Sequence, residues 1–304
     1  MADLVAHLDQ IVGQSPLQFL PDPFSEPVPI HLYLKRDDLL HPLVSGNKWR
    51  KLKYNLIEAE RLGYTTLLTF GGAYSNHLYA TAAAGRVFGF KTIGIVRGDE
   101  LAKKPLNPTL TFCREQGMVL HFVDRATYLR AEEADFQQEL QVRYGPCYRL
   151  PEGGTNDLAI RGAAEIMPEL RNQLDRWPDT VACAVGTGGT LAGLLLSAPE
   201  SVHVLGMSAL KVPDGRNAYF AGLPEQLPPN VSIRTDFHQG GYARTTPALR
   251  QFMLDFERKT GVLLDHVYTG KLLFALYTLA CQGYFSEGAT VVAIHTGGLQ
   301  GRNG

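Results

Sequence analysis

The sequence has no pair of neighbouring cysteines. Its four cysteines, Cys113, Cys147, Cys183 and Cys281, are widely scattered and show no C-x-x-C spacing. That pattern argues against a zinc site or a disulfide framework, so no metal is expected, and it suits a reducing cytoplasm. An excess of either charge is also missing. With 29 basic and 30 acidic residues the net charge is −1, which gives no reason to expect nucleic acid or an anionic membrane as a partner. Residues Met1 to His7 lack a basic region followed by an apolar run, so no signal peptide is expected. The long uncharged stretch Val181 to Ala198 approaches the length of a membrane span, but glycines and threonines interrupt its first half. It reads better as a buried strand, a turn and a helix. No internal repeat or low-complexity tract is visible.

What remains is an ordinary globular composition, 45% apolar and 19% charged over 304 residues, enough for one large or two intimately packed domains. Strand-like and helix-like segments alternate. Strands are predicted at Thr65–Phe70, Lys91–Val96, Met118–Val123, Cys147–Leu150, Val181–Val185, Val202–Met207 and Thr290–His295. Helices are predicted at Asn76–Phe88, Asn107–Gln116, Ala126–Tyr144, Ala159–Leu170, Thr190–Ser197, Pro247–Thr260 and Lys271–Gly283. This beat specifies an α/β fold with parallel sheets covered by helices. Ligands in such folds bind beyond the carboxyl ends of the strands. Glycine-rich or polar segments fall there: Gly71 to His77, Glu152 to Asn156, Gly186 to Thr190, and His295 to Gly298. The least periodic region, Pro213 to Gly241, reads as a long surface connection that could rim a site.

Two segments carry chemistry. Gly186, Thr187, Gly188, Gly189 and Thr190 join a strand to a helix, where free N–H groups and the helix dipole favour an anion. The segment lacks the Lys-Ser/Thr that ends a Walker loop, and Leu191 replaces the third glycine of a dinucleotide motif. It fits a phosphate cradle, and it also fits a tight turn with close helix packing. The second segment is Ser45-Gly46-Asn47-Lys48-Trp49-Arg50-Lys51-Leu52, a lysine at the opening of a helix after a glycine turn. Lys48 precedes apolar Trp49 and can point inward, while Arg50, Lys51 and Lys53 are expected on a solvated face. On spacing alone Lys48 fits a surface lysine as well. Together, a reactive amine and a phosphate site are the minimum equipment for holding pyridoxal phosphate as a Schiff base.

With Leu34 to Asp38, Ser75-Asn76-His77, Gly241-Tyr242, Gly261 to Lys271 and His295 to Gly298, these segments resemble the 1-aminocyclopropane-1-carboxylate deaminase and D-cysteine desulfhydrase family. That family belongs to the tryptophan synthase β-like, fold type II pyridoxal phosphate enzymes. The matching pieces keep the family order over roughly residues 30 to 300. The resemblance implies a two-domain fold with the cofactor in the cleft between a large domain, 1–50 and 155–304, and a small inserted domain, 51–154. It implies a homodimer. It assigns Lys48 as the Schiff-base lysine and proton-transfer base, and Asn76 as a contact to the cofactor's 3′ oxygen. Ser75, Asn76 and His77 hold the substrate carboxylate, and Ser75 is also catalytic in the deaminases. Gly186, Thr187, Gly188, Gly189 and Thr190 bind the phosphate. Tyr268, Thr269 and Thr296 lie at the cofactor, and Tyr242 at the substrate.

Two of these positions separate the family's activities. Cyclopropane deaminases carry glutamate where Thr269 stands and leucine where Thr296 stands, whereas desulfhydrase-like members carry hydroxyls at both. A glutamate keeps the pyridine nitrogen protonated and strengthens the electron sink, while a hydroxyl does not. The sequence therefore favours β-elimination from a small amino acid, D-cysteine first. The rivals are cyclopropane deamination, another D-amino-acid lyase or racemase, and a non-catalytic phosphate-ligand protein.

Overall fold

A computed structural model describes residue 8 and residues 12–44, 46–212, 220 and 222–303. Residues Met1 to His7, Ser45, and residues 213–219 and 221 of the expected surface connection lie outside the described residues. In chain order the strands and helices are β1 (Leu17–Leu20), β2 (Ile30–Lys35), α1 (Asn47–Arg61), β3 (Thr66–Gly71), α2 (Asn76–Phe88), β4 (Lys91–Arg97) and α3 (Pro108–Glu115). There follow β5 (Val119–Val123), α4 (Arg125–Leu129), α5 (Ala134–Tyr144), β6 (Tyr148–Arg149), α6 (Asp157–Ala164), α7 (Ile166–Leu174) and β7 (Thr180–Val185). The chain closes with α8 (Gly189–Ser197), β8 (His203–Ser208), β9 (Val231–Arg234), α9 (Pro247–Thr260), α10 (Thr269–Cys281) and β10 (Ala289–Ile294).

The strands form two sheets. One has six strands in the order β1-β2-β10-β7-β8-β9, and the other has four in the order β5-β4-β3-β6. Only β1 runs antiparallel to its neighbour. The expected parallel-rich α/β architecture is borne out. β7 and β10 are apolar apart from Thr180 and Thr290 and are buried along their whole length, as strands covered on both faces must be. Side-chain alternation sends Leu32, Leu34 and Val291 to the α10 face, where Leu272, Leu276 and Leu279 meet them. Val181, Val185 and Val292 go to the α7 and α8 face, against Ile166, Leu170 and Leu191. The uncharged stretch from Val181 to Ala198 is thus a buried strand, turn and helix. Among the described residues no helix is long and apolar enough to cross a membrane.

Helix α1 carries the arrangement. Trp49, Leu52, Leu56 and Ala59 recur at helical spacing and bury against Ala80, Ala83 and Ala84 of α2 and Leu67 of β3. A leucine buried this way contributes about 1.5–3 kcal/mol. The opposite face of α1 packs on α6 so closely that Gly162 abuts the carbonyl of Arg50. The expected solvated face is therefore corrected: Arg50 and Lys51 are each only 2% exposed, and Lys53 pairs with Glu165 at 2.9 Å. Alternating charges near a helix start resemble a surface, and only the tertiary partners of these cations reveal burial.

Other boundaries moved for local reasons. The single helix expected over Ala126–Tyr144 is two, α4 and α5. The Glu133 N–H closes on the Arg130 carbonyl at 2.8 Å, and the Arg130 guanidinium holds Glu133 at 2.9 Å. The helix expected at Ala159–Leu170 begins at Asp157, because Asn156 caps it by accepting the Ala159 N–H at 2.9 Å. It also divides before Ile166, so that Pro168, which has no N–H to donate, falls in the first turn of α7. The region Pro213 to Gly241 contains β9, an edge strand paired parallel to β8, which the weak periodicity hid.

Candidate active site

Two helices begin at the same place without a side-chain cap. α1 starts after Gly46 (φ 73°), and α8 starts after Gly188 (φ 92°). Gly46 is required twice over, by its left-handed backbone and because a Cβ there would lie 2.1 Å from the Thr296 carbonyl oxygen. Asn47 joins the two starts. Its backbone N–H donates to the Thr296 carbonyl at 3.2 Å, and its amide donates to Thr190 Oγ1 at 2.9 Å. The first N–H groups of each helix have no partner within the helix.

Lys48 is the second residue of α1, whose first turn has no acidic side chain. Burial lowers its ammonium to about 8. The helix dipole acts in the same sense, because a cation is disfavoured at a helix N-terminus. Lys48, Asn47, Asn76, Tyr79, Thr296 and Gly298 line one small cleft. Asn76 Oδ1 accepts from Gln300 at 2.8 Å, which turns its amide nitrogen toward the Gly298 side as a donor.

Beside the α8 start lies Lys51. Its Nζ donates to Thr155 Oγ1 at 2.8 Å, the Gly153 carbonyl at 3.1 Å and Thr187 Oγ1 at 3.3 Å. Burial first, and the charge of Lys48 second, push its pKa well down. Among the described residues no carboxylate is within ion-pair distance of it. A Cβ on Gly189 would come within 2.9 Å of this amine. Uncapped N–H groups, two threonine hydroxyls, bare glycine backbone and a buried amine without a counter-charge are the donor set that a phosphate monoester needs. With Lys48 nearby as an activated amine, the residues present fit pyridoxal phosphate.

The other predicted residues fall into three positions. Ser75 caps α2, its hydroxyl accepting the Leu78 N–H at 3.2 Å. His77 is 1% exposed and lies under Gly154, whose Cβ position is 2.5 Å from the imidazole Cε1. Both His77 ring nitrogens lack a partner among the described residues. Burial, then the charges of Lys48 and Lys51, keep the ring neutral. Tyr268 borders Gly186, and Tyr242 meets Tyr268 edge-on at 6.3 Å between ring centres. Thr269 behaves differently from Thr296. Its hydroxyl donates to Asp265 Oδ1 at 2.7 Å and accepts the Asp265 N–H at 2.9 Å, so it is held against Asp265, whose carboxylate also takes the Thr269 N–H at 2.8 Å at the start of α10. Thr296 lines the Lys48 cleft.

Sequence reasoning missed Asn47, Lys51, Thr155, Asp265 and Gln300. The signal for Lys51 was its helical phase, three residues after Lys48, which puts both amines on one side of α1. Asp265 was legible as an acidic residue just ahead of a helix start, where a carboxylate accepts free N–H groups two and three residues on.

The whole chain resembles known proteins. Residues 8–297 match the model of a family described as pyridoxal-phosphate dependent enzyme. A Thermotoga maritima protein provisionally named 1-aminocyclopropane-1-carboxylate deaminase is 31% identical, with 97% of this chain and 96% of that protein covered. An Arabidopsis thaliana protein named bifunctional D-cysteine desulfhydrase/1-aminocyclopropane-1-carboxylate deaminase, mitochondrial, is also 31% identical, over 90% of this chain and 77% of its own length. A crystal structure described as an ACC deaminase homologue superposes with a TM-score of 0.82 at 27% identity, covering 99% of this chain and 96% of its own.

Proposed function

The chain belongs to the pyridoxal-phosphate dependent enzymes, and from that membership we propose that it eliminates thiol from D-cysteine, giving pyruvate, sulfide and ammonia. Pyridoxal phosphate, when bound, supplies an aldehyde that condenses with amines and a pyridine ring that draws electrons from the substrate's α-carbon. The Lys51 amine, the hydroxyls of Thr187 and Thr190 and the backbone from Gly186 to Gly189 hold the phosphate. The Asn76 amide nitrogen serves the 3′ oxygen, and Thr296 serves the ring nitrogen. Ser75, with the backbone at Asn76 and His77, orients the substrate carboxylate, and Tyr242 borders the substrate with Tyr268 behind it.

Lys48 does the proton work. With its ammonium lowered to about 8, roughly a tenth of the amine is free base at pH 7. That free amine takes the α-proton. The electron pair released expels the β-thiolate, which leaves as sulfide, and one water completes hydrolysis to pyruvate and ammonia. The small domain at 51–154 and the large domain at 1–50 and 155–304 would form the walls that exclude water during this step. The cytoplasm is proposed from the scattered, unpaired cysteines, and a homodimer from the family likeness.

The observation that carries the reading is a hydroxyl, Thr296, in the Lys48 cleft where cyclopropane deaminases carry leucine. The Arabidopsis relative's name carries both activities, D-cysteine desulfhydrase and 1-aminocyclopropane-1-carboxylate deaminase. The Thermotoga relative's name favours a second reading, deamination of 1-aminocyclopropane-1-carboxylate. Incubating the holoenzyme with each amino acid separates the two. Sulfide and pyruvate from D-cysteine support the first reading, whereas 2-oxobutanoate from the cyclopropane substrate, with no sulfide from D-cysteine, replaces it with the second.

A further inference from the structure

We propose that Lys271 is a positioning residue for the substrate side of the site: its buried side chain holds the carbonyls of Gly241 and Ala209 and thereby fixes Tyr242 against Tyr268 beside the phosphate loop.

Lys271 stands in the first turn of α10 and is 2% exposed. Its Nζ donates to the Gly241 carbonyl at 2.7 Å and to the Ala209 carbonyl at 3.3 Å. Among the described residues it has no carboxylate within ion-pair distance. Asp265 lies near, but both its oxygens are engaged, by the N–H groups of Val267, Tyr268 and Thr269 and by the Thr269 hydroxyl. A packed apolar side chain would serve a helix core better than an ammonium bound only to two backbone carbonyls. What the lysine supplies is geometry. It links Ala209, the residue after β8, to the loop that presents Tyr242.

That loop needs holding. Gln239, Gly240, Gly241 and Ala243 have φ of 55°, 96°, 112° and 54°. Two of these residues carry side chains in a region such residues rarely adopt, and such strain persists only where the surroundings over-determine it. Within the loop the Gly240 N–H reaches His238 Nδ1 at 2.9 Å, the Gly241 N–H the His238 carbonyl at 3.0 Å and the Arg244 N–H the Gly241 carbonyl at 3.1 Å, while the Thr246 hydroxyl reaches Gln239 at 2.6 Å. Lys271 reaches the loop from outside, three residues after Tyr268, the N-cap of α10 that meets the Tyr242 ring.

The inference rests on the proposed function for the place of Tyr242 beside the substrate and for the choice of substrate. Its test is hydrogen–deuterium exchange over residues 238–246 of the holoenzyme, alongside D-cysteine kinetics, for wild type, Lys271→Met and Lys271→Arg. Lys271→Met is expected to speed loop exchange about tenfold. It should also raise KM about tenfold while kcat stays within about threefold and cofactor absorbance is unchanged. Lys271→Arg, which keeps donors for both carbonyls, is expected to restore protection and KM. Unchanged exchange in Lys271→Met overturns the proposal, as does a fall in kcat with lost cofactor absorbance, which assigns the lysine to the chemistry. If D-cysteine is not consumed by wild type, the functional reading fails while exchange still decides the role of Lys271. If Lys271→Met does not fold, Lys271→Gln is read by the same exchange measurement against the same two outcomes.

Discussion

Three cations lie within one turn of α1, and the protein treats them in two opposite ways. Arg50 is fully answered. Its guanidinium donates to Asp37 at 2.7 and 2.8 Å and to Glu169 at 2.9 Å through two nitrogens. Lys35 joins the same cluster through Glu169 at 2.6 Å and the Ser15 carbonyl at 2.7 Å. Among the described residues Lys48 and Lys51 have no carboxylate within ion-pair distance, only hydroxyls and a carbonyl on Lys51. The same residue class therefore does structural work on one side of the helix, where the chain supplies the counter-charge. On the other side the described residues supply none, as the proposed phosphate site requires. A buried cation without a partner is costly, so its presence marks the side of α1 on which function lies.

Four experiments break or sharpen that contrast. The largest effect is expected for Lys48→Ala, which should lower turnover at least about a thousandfold. Borohydride trapping of the wild-type holoenzyme should place the adduct on residue 48 by mass spectrometry, and an adduct on another side chain would refute the assignment. Next, Arg50→Met leaves Asp37 and Glu169 buried without their cation and should cost about 3–5 kcal/mol in urea denaturation. Lys51→Met should behave oppositely. The apoprotein should be as stable as wild type or more so, while cofactor affinity falls about ten- to a hundredfold. An apoprotein loss as large as that of Arg50→Met would erase the distinction between the two sides.

The smallest effect concerns pH. Because Lys48 is lowered from 10.5 to about 8, covalent trapping of the cofactor aldehyde by apoprotein should accelerate with rising pH and level off above about 8. The linked stability has a fixed sign. A lysine whose folded pKa is depressed contributes stability that is present above 10.5 and is lost as pH falls through about 8. Lys271, also lowered to about 8 by burial, adds in the same sense. Apoprotein stability independent of pH between 8 and 10.5 would contradict both shifts.

Much of the scaffold was legible because its signals are local. Apolar runs such as Val181–Val185 and glycine-rich turns such as Gly186–Thr190 announce a strand and a helix start without reference to distant residues. Lys48 was legible as an amine beside an apolar helix face. The burial of Arg50 was not, because its partners stand 13 and 119 residues away. The different fates of Thr269 and Thr296 were hidden for a related reason. Both are threonines in familiar segments, yet one is absorbed by a carboxylate four residues before it, and the other faces open space. β9 went unseen because an edge strand of four residues gives too short a period to read.

The seating of β10 between β2 and β7, with the Thr296 carbonyl beneath Gly46, has a consequence for how the molecule is made. On the ribosome, β2 emerges well before the neighbour that completes it. A nascent chain stopped before β10 exposes the unpaired backbone edges of two central strands and lacks the floor on which α1 begins. Competence to take up cofactor is therefore expected to wait on β10, and a chain lacking that strand is expected to be prone to aggregate.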